Sequence, residues 1–258
     1  MTTTNQSGGS QDDLNFRSSS ETGHAKNVAN FEELITTCQS FVPDYNPSNN
    51  LISIPELQIL LTQAQESIDH VHTSRASFML TTNQRQDDFD DLKFLSTKII
   101  NALAASGADH RALKDAKTIN NKIQGKPATP KTNDNEEGQE TKRVKSSSQQ
   151  SFDKLIDHFR ALIELLAQIP EYDPNEVNLQ INSLYSKLTQ LKNINSEHIV
   201  IYTDYSKKLA QRNLILYAPI TGVITIAKLI KQYVKSLFGI NSHQYQQISG
   251  IQIIKQKL

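Results

Sequence analysis

Several residue types are scarce in this chain of 258 residues, and each scarcity excludes a class of structure. Only nine glycines and eight prolines are present. This disfavours sheets, which need frequent turns, and favours long uninterrupted helices. The single cysteine, Cys38, cannot form an intramolecular disulfide or a cysteine-based zinc site. We predict that Cys38 is a small core residue on the apolar side of a helix.

Two segments are poor in apolar residues. Residues 1–27 and 125–150 are rich in polar residues, and neither can bury enough apolar surface to offset the entropy of ordering. We expect a disordered tail and a flexible linker.

The N-terminus also lacks the basic and apolar regions of a secretory signal, so a cytoplasmic location is the default expectation. Signal-independent export stays open.

A repeat organises the rest of the sequence. The residues Val42–Pro47 recur as Ile169–Pro174, and every position is identical or chemically similar. The same offset of 127, held without a gap, places Leu61-Thr62-Gln63 on Leu188-Thr189-Gln190. We interpret residues 28–124 and 151–258 as two diverged copies of one helical unit.

The long helices of both copies are predicted from the spacing of their apolar residues. Mostly apolar residues recur alternately three and four positions apart from Ile54 to Leu103, and this row forms the seam of a coiled-coil-like helix. The second copy keeps this seam from Ile181 to Leu216, and Pro219 then interrupts it. Shorter helices are expected at 28–41, 109–124, 152–168, 223–237 and 242–249. We predict an all-α, elongated helical bundle with the two copies antiparallel. Pairing of the same seams between chains stays open.

The second copy resembles a family of uncharacterised, all-helical proteins associated with Bacteroidota. The resemblance is strongest over residues 169–250. It is carried by the following residues: Ile169–Pro174, Arg212-Asn213, Leu216-Tyr217, Thr221-Gly222, Tyr233–Gly239 and Gln244–Ile248. The resemblance implies a helical bundle and brings no activity, substrate or catalytic residue with it.

Two arginines, Arg85 and Arg212, occupy equivalent seam positions where apolar residues are expected. A buried guanidinium needs a carboxylate or carbonyl partner, because an unpaired charge in the core is costly. Both are therefore candidate structural or partner-binding positions. Either they bind an anion or a partner, or they set the helix register or extend to solvent at the bundle edge. We favour the structural interpretation.

Catalytic and metal-binding patterns are weak. The histidines and acids near His70 and His198 do not form the Glu-x-x-His pairs of di-iron bundles. No nucleophile elbow or glycine-rich phosphate loop is present. The paired acids Asp87-Asp88 and Asp90-Asp91 are interpreted as a solvated helical turn. We predict a protein that is not an enzyme and has no cofactor and no metal.

Charge is distributed unevenly along a chain whose formal net charge is zero. No acidic residue follows Asp204, and the eight basic residues after it give +8, so the remainder carries −8. Lysines also flank an uncharged apolar run at 213–227, within a candidate membrane segment at 213–238. The candidate contact residues are Leu214, Ile215, Ile220, Val223, Ile224 and Ile226.

The apolar run is too short to span a bilayer as one helix, which needs roughly 20 residues. It could contact anionic lipid at the interface, or it could pack in the bundle, which we favour. No nucleic-acid motif is present. We expect a structural or protein-interaction role, through a protein partner or self-association, with a membrane-active protein as the alternative.

Overall fold

The computed structural model of the protein describes residues 21–126 and 150–256. These residues form seven α-helices and no strand. The helices are α1 (Glu21–Gln39), α2 (Ile54–Ala105), α3 (His110–Ile123), α4 (Phe152–Leu166), α5 (Ile181–Tyr217), α6 (Val223–Phe238) and α7 (His243–Ser249). Short 3₁₀ helices at Asn50–Ile52 and Val177–Leu179 precede α2 and α5. The predicted fold class, an all-α helical bundle, is confirmed.

The long helices end close to where the sequence pattern predicts. α2 ends at Ala105, just beyond the spacing pattern that runs from Ile54 to Leu103, and α5 ends at Tyr217, before Pro219. The turn after α5 needs Gly222, because a Cβ atom there would lie 2.4 Å from the backbone nitrogen of Ala218. α6 ends at Phe238 and is capped by Gly239, whose φ of 92° is in the region that favours glycine. Proline and glycine therefore set these helix ends locally.

The start of α1 corrects the prediction of a disordered tail through residue 27. α1 begins at Glu21, so residues 21–27 are helical. Glu21, His24 and Asn27 are buried polar residues, and each bonds to a residue far along the chain. The polar composition of this segment reflects those tertiary contacts. Residues 1–20 of the tail and 127–149 of the linker lie outside the described residues.

Packing divides the described chain into two compact units that cut across the predicted repeats. Unit 1 comprises residues 80–126 and 150–199, and unit 2 comprises residues 21–79 and 200–256. α2 and α5 each contribute residues to both units. Each unit therefore contains parts of both predicted copies, 28–124 and 151–258. The two copies stay a prediction from the sequence.

The core of unit 1 is formed by the end of α2, by α3 and α4, and by the start of α5. Its largest fully buried side chains are Phe89, Leu92, Ile99, Leu103, Ile123, Phe159, Leu162 and Ile163. The ring of Phe89 meets that of Phe152 edge-on, with 4.6 Å between centroids. Burial of each such side chain contributes about 1.5–3 kcal/mol, so this core is the main source of stability in the unit.

The core of unit 2 combines α1, the start of α2, the end of α5, α6 and α7. Phe31, Leu34 and Ile230 are fully buried, as is Cys38, so its predicted core position is confirmed. Burial raises the pKa of the Cys38 thiol to about 12. Since the thiolate is the reactive form, Cys38 is inert at neutral pH.

The two Pro-x-Tyr-x-Pro turns contain the same tyrosine hydrogen bond. The hydroxyl of Tyr45 donates to the carbonyl of Ile52 at 2.7 Å, and that of Tyr172 donates to the carbonyl of Leu179 at 2.9 Å. Both tyrosines are buried. In each turn the bond ties the 3₁₀ helix back to the preceding loop and so directs the chain into the long helix that follows.

Candidate functional site

The strongest candidate site in unit 2 is a buried ion pair between α1 and α5. Arg212 is only 2% exposed, and its Nη1 forms an ion pair with the Oε2 atom of Glu21. The neighbouring Asn213 accepts hydrogen bonds from Nε at 3.1 Å and from Nη2 at 2.8 Å. A charge on the apolar seam is tolerated here because a carboxylate and an amide oxygen replace its water.

A second group of polar side chains continues from Glu21 along α1. His24 is fully buried, and its Nδ1 lies 2.6 Å from the hydroxyl of Tyr217. The same hydroxyl accepts a long hydrogen bond from Asn27 Nδ2, at 3.4 Å, so it can donate to His24. Burial lowers the pKa of His24, the positive charge of Arg212 lowers it further, and Glu21 opposes both. This environment favours the neutral imidazole, whose Nδ1 can accept a hydrogen bond from the Tyr217 hydroxyl.

The C-terminal residues complete this group. The amide of Asn27 donates to the carbonyl of Ile254 at 2.7 Å and accepts from its backbone N–H at 3.1 Å. Asn30, one turn further along α1, donates to the carbonyl of Gln252 at 2.6 Å. The polar side of α1 therefore has two partners in unit 2: the end of α5 and the extended segment after α7.

Arg85 in unit 1 has different surroundings from Arg212. Its guanidinium carbon lies 4.1 Å from the centre of the Phe152 ring, a cation–π geometry. Nη1 also donates to Asn195 Oδ1 at 3.4 Å, and the amide of Asn195 donates to Asp153 at 2.9 Å. Arg85 is half-buried. Equivalent positions in the sequence are therefore stabilised in two ways, by a carboxylate at Arg212 and by an aromatic face at Arg85.

Asp88 was missed by the sequence reasoning, which took the acids at 87–91 as solvated. It is 6% exposed, and its Oδ1 accepts hydrogen bonds from Lys187 Nζ and Gln190 Nε2, each at 2.8 Å. Burial acts to raise the pKa of Asp88, but hydrogen bonds from Lys187 and Gln84 and the charge of Lys187 hold it below its ordinary value. The partner that makes burial of Asp88 possible is Lys187, which lies 99 residues away along the chain, so no local pattern indicates the pair.

The six candidate membrane-contact residues do not share one environment. Leu214 and Ile220 are 67% and 71% exposed, Ile215 and Ile224 are half-buried, and Val223 and Ile226 are buried in the core of unit 2. The segment 213–238 is therefore partly core and partly surface. Within the described ranges, no helix is long and apolar enough to cross a membrane.

Neither the geometry of the described residues nor comparison with known proteins assigns a chemical activity to the chain. Among residues 21–126 and 150–256, no three histidine, cysteine or acidic side chains are placed to hold one metal ion. No family model, curated protein or solved structure matches the chain. The contacts described above act to hold helices and the C-terminal segment in place.

The buried ion pair leads to a stability prediction. Arg212→Met should lower the free energy of unfolding by about 3–5 kcal/mol, because it leaves the Glu21 carboxylate buried without its partner. Arg85→Met is the matched control at a half-buried site and should cost less, on the order of 2 kcal/mol for the lost cation–π contact. Urea denaturation followed by circular dichroism measures both changes. Equal losses in the two variants would contradict this account of the seam arginines.

His24 leads to a prediction about pH. Its pKa is lowered in the folded protein, so below about pH 6.5 the unfolded chain binds a proton that the folded chain does not. The free energy of unfolding should therefore be highest above pH 6.5 and should fall as the pH drops below it. Urea denaturation at a series of pH values from about 7.5 to about 5, a range that brackets the ordinary histidine pKa, gives the slope of the free energy of unfolding against pH.

The control for that slope is a pair of histidine substitutions. His24→Gln removes the buried titrating group and should make the slope shallower, although burial also lowers the pKa of His158 and His198, so part of it remains. His70→Gln is the matched substitution at an exposed histidine of the same unit, and its pH slope is compared with that of His24→Gln. If the free energy of unfolding of His24→Gln depends on pH as steeply as that of the unchanged protein, His24 does not contribute to the pH dependence.

Proposed function

We propose that this protein is a non-enzymatic helical bundle with a structural or protein-interaction role. We also propose that the chain arose from two diverged helical copies with coiled-coil-like seams. We propose a cytoplasmic location for it and membership of the bacterial family that the second copy resembles. It also takes residues 127–149 as part of a flexible linker. The observation that carries the interaction role is an exposed face of α2 in unit 1.

This face combines large apolar side chains with acids. Leu80 and Phe94 are each 71% exposed. They are 14 residues apart, which is close to four helical turns, so they lie on the same side of α2. Asp87 and Asp91 occupy intermediate positions on that side, and both are exposed.

An exposed apolar residue by itself is ordinary, but an aromatic anchor within a charged rim is typical of interaction surfaces. Phe94 supplies the anchor, and the neighbouring carboxylates set the charge that a partner must complement. We therefore propose a protein partner that presents basic residues around an apolar contact, as a basic amphipathic helix does. The acids would speed its association and make binding weaker at high salt.

Substitution of Phe94 tests this interaction. The tagged protein is used to isolate partners from a cell extract, and the captured protein is identified, purified and titrated against each variant. Phe94→Asp should weaken its binding at least tenfold, since a lost aromatic anchor costs on the order of 2 kcal/mol. Raising the salt concentration should weaken binding to the unchanged protein.

The matched control is Val177→Asp, which places the same charge at a residue of unit 1 that is 72% exposed. Val177 lies in the 3₁₀ helix before α5 and outside the α2 face. The Val177→Asp variant should bind the purified partner as tightly as the unchanged protein does. If both variants bind the purified partner equally well, the Phe94 face is not the interaction surface.

A membrane-binding role is the second candidate, and two exposed side chains favour it. Leu214 and Ile220 lie at the end of α5 and in the turn before α6, in the part of the chain that has lysines and no acid. Such a surface suits anionic lipid headgroups. Because Val223 and Ile226 are core residues, insertion of the whole segment would disrupt unit 2. We therefore limit this candidate to surface contact through Leu214 and Ile220.

Sedimentation with liposomes tests the second candidate. The full chain should bind anionic vesicles more than neutral ones, and salt should reduce the bound fraction. Leu214→Asp and Ile220→Asp should each lower binding. Ile59→Asp, at a 51% exposed residue of α2, is the control and should not. Equal sedimentation with both vesicle types, or with all variants, would exclude this candidate.

A further inference from the structure

An open groove in unit 1 lies between the end of α2 and the Pro-x-Tyr-x-Pro turn before α5. Ala102, Ala105 and Ser106 line it from the helix side, and Tyr172 and Leu179 line it from the turn. Its volume is about 750 Å³. Ligand pockets span roughly 300–1,000 Å³, so the groove can hold a large side chain.

The tyrosine of the other turn, in unit 2, packs against a second tyrosine. The ring of Tyr45 meets that of Tyr233 on α6 edge-on, with 5.2 Å between centroids. The hydroxyl of Tyr233 also accepts a hydrogen bond from the backbone N–H of Asn46 at 3.2 Å. In unit 2, therefore, a phenol contacts both the ring and the main chain of the turn.

The end of α2 corresponds to α6 in burial as well as in sequence position. The offset of 127 that separates the tyrosines of the two turns also relates four buried residues of α2 to four buried residues of α6: Ser96, Ile99, Ile100 and Leu103 fall on Val223, Ile226, Ala227 and Ile230. The same offset places Ser106 on Tyr233. Unit 1 thus has a hydroxymethyl side chain where unit 2 has the phenol.

Two further positions of the groove differ from α6 in the same direction. Ala102 and Ala105 of α2 fall on Leu229 and Gln232 of α6. These alanines and Ser106 are all smaller than their counterparts on α6, so the space beside the turn stays open in unit 1. The groove therefore matches the place that a tyrosine ring fills in unit 2.

The main chain of the two turns differs at the same place. Asp173 occupies the position of Asn46 at this offset. Its N–H donates at 3.2 Å to the carbonyl of Glu171, only two residues before it. In unit 1, therefore, a local carbonyl accepts from the N–H that a phenol oxygen contacts in unit 2.

The rim of the groove is acidic. Glu171, Asp173 and Glu176 of the turn are exposed, and Lys98 is the one basic side chain among the described residues that line the groove. Lys98 lies one helical turn beyond Phe94 on the same side of α2. A partner that contacts Phe94 can therefore reach the groove, and the carboxylates favour a partner with basic residues.

We propose that this groove is a binding site for a tyrosine side chain presented by a basic partner helix. The ring packs against Tyr172, and its hydroxyl accepts a hydrogen bond from the N–H of Asp173, as Tyr233 does in the turn of unit 2. The inference rests on the interaction role proposed for unit 1 and adds a second contact beside the Phe94 face. α6 itself, which has three lysines and no acid, is the model for the partner helix.

A synthetic peptide with the sequence of α6, Val223–Phe238, is the probe for the full-length chain. The peptide carries a fluorescent label at its N-terminus, and fluorescence anisotropy measures its binding. A second peptide with Tyr233→Ala should bind at least about tenfold more weakly, because it lacks the aromatic anchor. Equal affinity of the two peptides would overturn the inference.

A variant that fills the groove from within the chain tests the site itself. Ser106→Tyr gives α2 the residue that α6 has, so its own ring should occupy the groove and lower the affinity for the peptide at least about tenfold. Ser106→Ala is the matched control, because it removes the same hydroxyl and leaves the groove open. Its affinity should equal that of the unchanged protein. Ala102→Leu, which also copies α6, is a second blocking variant with the same expected loss.

The results separate this inference from the proposed Phe94 face. Far-UV circular dichroism shows which variants are folded. If a folded blocking variant binds the peptide as tightly as Ser106→Ala does, the groove is not the site. If Phe94→Asp loses binding while Ser106→Tyr keeps it, the Phe94 face stands and the groove inference is overturned. Absence of binding to the unchanged protein overturns the groove inference as well.

Discussion

A guanidinium group that is withdrawn from water has to meet an anion, and in unit 2 this requirement shapes much of the structure around it. Arg212 lies on a seam where neighbouring positions are apolar, and Glu21 supplies the carboxylate. The pair brings the first turn of α1 against the end of α5. Once α1 is placed there, His24 and Asn27 follow on the same side of the helix and meet Tyr217 and the C-terminal segment. The ion pair thus orders a chain segment whose composition alone indicates disorder.

The other seam arginine shows that the same requirement has more than one solution. Arg85 is half-buried, and its guanidinium contacts the ring of Phe152 and the amide of Asn195. Asp88 presents the opposite charge under the same rule, because Lys187 and two glutamines replace its solvent. In both units, polar contacts between distant segments supplement an apolar core that by itself has little directional preference.

The surfaces offered by the two units differ in chemistry. Unit 1 presents the exposed aromatic side chain of Phe94 on α2, near the exposed acids Asp87 and Asp91. In unit 2, side chains of α1 and α6 hold residues 251–256 of the same chain largely through hydrogen bonds to main-chain atoms. Leu214 and Ile220 are exposed whereas Val223 and Ile226 are buried, so the apolar sequence at 213–227 does not form one apolar surface.

The sequence by itself determined the helices, since their signals are local. The three-and-four spacing predicted α2 and α5, Pro219 predicted the interruption, and Gly239 marked the end of α6. The apolar pattern around Cys38 placed it in the core. Tertiary structure alone decided that α1 begins at Glu21, that Asp88 is buried, and that Val223 and Ile220 have opposite exposure. It also decided how α2 and α5 are divided between two units. Each of these depends on contacts between residues that are far apart along the chain, and no local pattern encodes which distant residue will supply the partner.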